Sequence, residues 1–307
     1  MSRWRAAGHL EHKDLGVDYA IGIDLGGTTA KMLAVTPKGR VIGRAVAPTA
    51  DATWRKHVLR AFRSLVADVD GALQWVGVAA PGLPAPDGRS IAVMPERLPG
   101  LEGLDWQEFL GTRFKVPVVN DAQGALLGET WLGAARGSQD VILLTLGTGV
   151  GGAILADGQL LRGKIGRAGH LGHVTVDPDG PSDICQMPGS LEDAIGDCTI
   201  VSRTGGRFKT TKALVDAAAG GDAEARRIWR QSVRLLAIAI ASFVNVIDPE
   251  IVVIGGGIAK SGPALFGPLR RDLAKYEWRP AGARVTVLPA RLGDRAGAFG
   301  AARQGMV

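Results

Sequence analysis

The spacing of apolar residues changes character along the chain. Tyr19 to Asp24, Lys31 to Thr36 and Val41 to Val46 are short apolar runs joined by glycine-containing turns, and they predict three strands in a meander. From Thr53 to Ala67 the apolar positions Val58, Leu59, Phe62, Leu65 and Val66 recur at the period of a helix with one buried face. The pattern then predicts a strand over Trp75 to Ala80, a helix over Trp106 to Phe114, a strand over Val116 to Val119 and a helix over Ala122 to Leu132.

After that the pattern restarts. Val141 to Leu146, Ala153 to Ala156 and Gln159 to Leu161 read as three further strands. A long irregular insertion follows, then a helix over Ala223 to Val246, a strand over Ile251 to Ile254, a helix over Pro263 to Ala274, a strand over Val285 to Leu288 and a last helix over Arg295 to Ala302. Three strands followed by alternating helices and strands, twice over, is a weak internal duplication. Two mixed α/β units of this kind leave a cleft between them.

Composition narrows the class. At roughly 150 residues per domain, 307 residues are about two domains' worth of chain. With 46% hydrophobic and 21% charged residues the chain can bury real cores, which excludes wholesale disorder. Cys185 and Cys198 cannot build a disulfide framework and suit a reducing compartment. The basic start Met1-Ser2-Arg3-Trp4-Arg5 runs into polar residues rather than the apolar stretch of a signal peptide. The most apolar run, Leu235 to Ile247, is shorter than the roughly 20 residues that cross a bilayer. A cytoplasmic protein with no membrane partner is expected. The net charge of +6 is spread singly or in pairs such as Arg226-Arg227, as on solvated helix faces. Aromatics at 5% argue against base-stacking surfaces, so nucleic acid is not an expected partner.

The 44 glycines cluster where strands end, at places where a backbone must turn tightly or approach a ligand. Asp24-Leu25-Gly26-Gly27-Thr28-Thr29 lies in the first turn of the first meander. Such a turn can present amides and a hydroxyl to an oxyanion, with the aspartate on a Mg²⁺ water, and it is equally a plain hairpin. Gly147-Thr148-Gly149-Val150-Gly151-Gly152 holds the equivalent place in the second half and matches G-x-G-x-x-G. A dinucleotide site needs a helix after those glycines, and Ala153 to Ala156 reads as a strand, so that reading fails on context. Gly255-Gly256-Gly257 follows a strand and precedes a helix, which suits a tight turn or an approach to adenine or ribose. Asn120-Asp121 before a helix is, by residue type, a capping pair.

In this order, and together with Pro81-Gly82, Gly169 to His173 and Gly189 to Glu192, these motifs resemble the sugar-kinase branch of the ROK family, in the actin/hexokinase-like superfamily. The resemblance runs from about Tyr19 to Ala302. It implies an α/β fold of two ribonuclease-H-like domains with an inter-domain cleft. A small domain is expected over 19–119 plus the C-terminal helix near 295–307, a large domain over 120–294, and an extension over 1–18. It implies ATP-dependent phosphorylation of a hexose, most often glucose at the C6 hydroxyl, with Mg²⁺, by an enzyme that is expected to be a homodimer.

On the matching positions, Asp121 is the expected general base, and Asn120, His173 and Glu192 are sugar contacts, with Gly82 in the loop against the ring. Gly26, Gly27, Thr28, Thr29, Gly147, Thr148 and Gly149 would bind phosphate oxygens, Gly255, Gly256 and Gly257 the nucleoside, and Asp24 the metal. No P-loop lysine is present, so amide dipoles and Mg²⁺ would carry the charge stabilisation.

Two positions depart from the family. His170 stands where relatives carry a glutamate that accepts from hydroxyls at the anomeric end of the sugar, so either a different preferred sugar or a weaker hold on the anomeric end is expected. Relatives that bind zinc use the motif's histidine and three cysteines; here Asp183 and Ser190 replace two of the three, leaving His173 and Cys185, and no structural zinc is expected. The alternatives are a kinase of another sugar (an N-acetylhexosamine, fructose, mannose, allose or an aminosugar) or a catalytically weak sugar-binding member. A repressor of the same family is set aside, because about eighteen residues before Tyr19 are too few for a winged helix-turn-helix.

Overall fold

The structure is a computed structural model that describes residues 16–94 and 98–307. Residues 1–15 of the expected N-terminal extension lie outside the described residues.

Strand β1 (Tyr19–Leu25) is buried on both faces, so it must lie inside a sheet. It pairs antiparallel with β2 (Thr29–Val35), which pairs antiparallel with β3 (Val41–Pro48). Helix α1 (Trp54–Asp68) covers one face through Trp54, Val58, Phe62 and Leu65 and returns the chain to β4 (Leu73–Ala80), parallel to β1. A small hairpin of β5 (Leu83–Pro84) and β6 (Ile91–Val93) and a short helix α2 (Trp106–Leu110) precede β7 (Val118–Asn120), giving the order β3-β2-β1-β4-β7. The helix expected to reach Phe114 stops at Leu110. Gly111, left-handed at φ 70°, closes it by donating to the carbonyls of Gln107 and Glu108.

Helix α3 (Asp121–Leu132) leads into the second sheet. There β8 (Val141–Leu146), β9 (Val150–Ala156) and β10 (Gln159–Leu160) repeat the antiparallel meander. β9 starts earlier than the apolar pattern implied, because Gly151 and Gly152 pair with Thr145 and Leu144. The insertion is less irregular than its sequence suggests and holds α4 (Leu191–Ile195), α5 (Ile200–Arg203) and α6 (Thr211–Ala219). Helix α7 (Ala223–Ile247), strand β11 (Ile251–Gly255), helix α8 (Pro263–Tyr276) and strand β12 (Thr286–Pro289) complete the order β10-β9-β8-β11-β12, and α9 (Ala296–Gly305) ends the chain. The duplication visible in the sequence is thus a duplication of sheet order. α7 is long and apolar enough to cross a membrane, at 25 residues and a mean hydropathy of 1.4, but half of its apolar window is buried against α4, α6 and α8.

The halves meet through α9, which lies on β1, β2 and β4, and α3, which lies on β8 and β9. The two helices cross backbone to backbone. A Cβ at Gly300 would sit 1.7 Å from the Gly124 carbonyl oxygen, and one at Gly22 would sit 1.8 Å from the Ala298 carbonyl oxygen, so both positions require glycine. This close crossing sets where the N-terminal end of α3 stands relative to both meanders.

Candidate active site

Asn120 ends β7 and caps α3. Its Oδ1 accepts from the Ala122 amide at 2.9 Å, and the Gln123 side chain accepts from the Asn120 amide at 3.0 Å, a complete capping box. Its Nδ2 donates to the Gly82 carbonyl at 2.9 Å, so Gly82 reaches the site by fixing Asn120. Among the described residues, one Nδ2 hydrogen and one Oδ1 lone pair carry no partner and can serve a ligand. Capping therefore does not compete with a binding role but orients it. Asp121, the first residue of the helix, accepts from the Ala122 amide at 2.8 Å and is exposed where Asn120 is buried.

Asp24 faces this end of α3 from β1. Burial, the Asp121 charge and Asp294 push its carboxyl up to about 7, against the opposing pull of Lys31. Its carboxylate packs on the first turn of α9, where a Cβ at Gly297 would come within 2.6 Å of it. Lys31 reaches across from β2 and pairs with Asp294 at 3.0 Å. The charge of Asp121 is felt at the half-buried Asp24 carboxylate, and an oxygen ligand of this kind suits a hard divalent cation. The adjoining β1–β2 turn is braced by Thr49, whose hydroxyl donates to the Gly26 carbonyl at 2.6 Å, and it leaves Gly27 and Thr28 exposed at its tip.

The β8–β9 turn stands on the other side. A Cβ at Gly151, at its base, would lie 3.6 Å from Ala122, beside the start of α3. Glu192 packs so closely on this turn that a Cβ at Gly149 would come within 2.2 Å of its carboxylate, and it accepts from the Val150 amide at 2.8 Å. The expected sugar contact Glu192 and the expected phosphate loop are thus one unit. Gly256, left-handed at φ 88°, packs on the Leu146 carbonyl beside the same turn, and Gly257 next to it is open.

His170 follows Gly169 and is half-buried; burial first, then the charge of His173, lowers its pKa, so it is neutral at pH 7. His173, an expected sugar contact, turns both ring nitrogens toward the neighbouring loop. Its Nδ1 donates to Asp183 at 3.0 Å and its Nε2 lies 3.7 Å from the Cys185 sulfur. Asp183 is the reason. Its side chain is fully buried, and it also accepts from the amides of Cys185 at 2.8 Å and Met187 at 2.9 Å and from the Ser190 hydroxyl. Burial alone would raise its pKa; these four hydrogen bonds overcome that and hold it low.

His173, Asp183 and Cys185 offer ligand atoms within 4.8 Å of one another. The donor set does not fit a structural zinc. The Asp183 oxygens are taken, the buried Ser190 hydroxyl caps α4, and burial with the charges of Asp183 and Glu192 pushes the Cys185 thiol up.

The ROK family model matches residues 20–304. The chain belongs to the ROK family. It is 34% identical to the glucokinase of Thermotoga maritima, over 92% of this chain and 95% of that one. It is 31% identical to the N-acetylmannosamine kinase of Escherichia fergusonii, over 92% of this chain and 96% of that one. A crystal structure of a ROK family glucokinase from Streptomyces griseus, in complex with glucose and AMPPNP, matches with a TM-score of 0.74 and 28% identity, covering 94% of this chain and 99% of that one. The fold is therefore the actin/hexokinase-like one, and this ROK protein is a sugar kinase.

Sequence reading of the ROK motifs missed the residues that hold the site together. Gly297, Gly300 and Gly124 sit inside helices, where their only signal was a glycine that helix propensity disfavours. The bonds of Asp183 left no trace in the spacing beyond a carboxylate at a former cysteine position.

Proposed function

We propose that this ROK kinase phosphorylates glucose at the C6 hydroxyl with ATP and Mg²⁺, and that Asp121 is the general base. The observation that carries the reading is that Asp121 stands exposed at the start of α3, its charge felt by Asp24 at the end of β1, with the neighbouring Ala122 beside the base of the β8–β9 turn.

Asn120 and Asp121 take the hydroxymethyl end of the sugar. As the C6 oxygen bonds to the γ-phosphorus its proton passes to the Asp121 carboxylate, the bond from phosphorus to the bridging oxygen breaks, and ADP leaves. Asp24 would hold Mg²⁺, which would offset phosphate charge when bound with the nucleotide. Backbone amides of Gly26 to Thr28 and Gly147 to Gly149 cradle the phosphates from two sides, and Gly255 to Gly257 flank the nucleoside. Glu192 and His170 take the other hydroxyls, and the Asp183 network keeps the loop that carries them in place. ATP supply and two unpaired cysteines suit the cytoplasm.

Similarity to both glucokinases and N-acetylmannosamine kinases puts the question at C2, the position where those sugars differ. The test is turnover of ATP against glucose, mannose, N-acetylglucosamine, N-acetylmannosamine, fructose and allose, with the phosphorylated carbon located by NMR. Glucose with the highest kcat/KM and phosphate on C6 is expected. A higher kcat/KM for an N-acetylhexosamine overturns glucose while leaving the kinase reading intact.

A further inference from the structure

The far side of the molecule carries a second cavity. Helix α3 spans about 18 Å at 1.5 Å per residue, and Asp121 stands at one end of it. Around the other end lies a groove of about 980 Å³. Its floor is the C-terminal ends of α3 and α9, and its walls are the β2–β3 turn of the first sheet and the β9–β10 turn of the second. These turns are equivalent under the internal duplication, so the groove mirrors the catalytic cleft across the helix pair.

Its chemistry is one-sided. Lys38, Arg136, Arg162 and Arg303 all line it, no aspartate or glutamate does, and none of the four has an ion-pair partner among the described residues. Even with the α-carboxylate of Val307, which also lines the groove, the balance stays positive. Partial negative charge at the two helix C-termini offsets some of it and makes the cluster tolerable without a ligand. Trp131 supplies an aromatic wall, with the Arg303 guanidinium 5.9 Å from its ring centre. Three guanidiniums beside an aromatic face suit bidentate contacts to phosphate better than contacts to a lone carboxylate.

We propose that this groove binds a small phosphorylated anion and that its occupation weakens sugar binding in the cleft. The coupling follows from the architecture. Lys38 belongs to the first sheet's half, Arg136 and Arg162 to the second's. If the halves hinge about the α3–α9 crossing, an anion that draws these side chains together narrows the back and widens the front. The ligand then favours the open form, and by linkage sugar disfavours the ligand equally. The coupling rests on the proposed sugar site; binding in the groove does not.

Inorganic pyrophosphate is the probe. It is titrated calorimetrically into the full chain in EDTA, where no turnover occurs, alone and with saturating glucose or whichever sugar the panel selects. Arg136→Ala/Arg162→Ala removes one exposed and one half-buried cation, neither of them ion-paired among the described residues, and should change the melting temperature little. Pyrophosphate should bind the wild type, lose at least tenfold in affinity in the double variant, and weaken sugar affinity at least threefold in the wild type only. Equal pyrophosphate affinity in both proteins would place binding at the catalytic phosphate turns and overturn the site. Loss of binding with no change in sugar affinity overturns the coupling. A change of oligomeric state in the double variant, with no pyrophosphate binding to the wild type, makes the groove an interface between copies instead.

Discussion

Asp24→Asn separates what the site costs in stability from what it does. With its carboxyl pushed up to about 7 from 3.8, folded Asp24 keeps a proton that the unfolded chain has already lost. The folded state therefore binds more protons between those two values. Stability falls as pH rises through that window and levels off above about 7. Three units at 1.36 kcal/mol each bound the effect at about 4 kcal/mol, and solvent around a half-buried carboxylate reduces it to about 1–3 kcal/mol. Asparagine keeps the shape and never ionises. The variant should lie nearest the wild type at the acid end of this window, and its advantage should grow through the window to that amount at pH 8, in urea unfolding with EDTA present. Added Mg²⁺ and AMPPNP should then stabilise the wild type and leave the variant nearly unchanged, because the proposed metal ligand is gone. Parallel stability profiles for the two proteins across pH 4.5 to 8 would refute the reasoning.

Other substitutions probe the supports of the site. Asp183→Ala takes the shared acceptor from two amides, one imidazole N–H and one hydroxyl, at a cost of about 1–3 kcal/mol in denaturant unfolding. The wild type should meanwhile contain no stoichiometric zinc and melt unchanged in EDTA; about one zinc per chain, lost together with thermal stability, would show that a metal holds the loop instead. His170→Glu should change selectivity about two- to tenfold among sugars differing at C1 or C2, the worth of one hydrogen bond of roughly 0.5–1.5 kcal/mol, and leave C4 variants unchanged; identical kcat/KM ratios would make His170 a bystander. Gly300→Ala drives a Cβ into the Gly124 carbonyl and should lower stability by about 1–3 kcal/mol or more; an unchanged melting temperature would contradict the tight crossing.

Much of the fold was legible because its signals are local. The meander of β1 to β3 and its repeat in β8 to β10 announce themselves by apolar runs between glycine turns. The strand after Gly149 excluded a dinucleotide fold from the sequence alone, and β9 begins where the glycines pair. The end of α2 was missed because Gly111 stops the helix although Phe114 continues the apolar pattern. The α3–α9 crossing was missed for a deeper reason. It depends on Gly124 and Gly300 meeting from distant parts of the chain, and neither segment alone shows what its glycine spares. The site divides in the same way. Asp24, Asn120 and Asp121 stand at strand ends that periodicity can place, whereas the turn of His173 toward Asp183 depends on a loop with no period at all.

The most direct test is steady-state turnover and sugar binding in Asp121→Asn. The amide keeps the side chain's size and one acceptor oxygen but cannot accept the proton, so kcat should fall by at least the ~10²–10⁴ of a lost general base. Sugar affinity, measured calorimetrically, should change by far less. A variant that turns over sugar at close to the wild-type rate would contradict the assignment of Asp121 and the chemistry built on it.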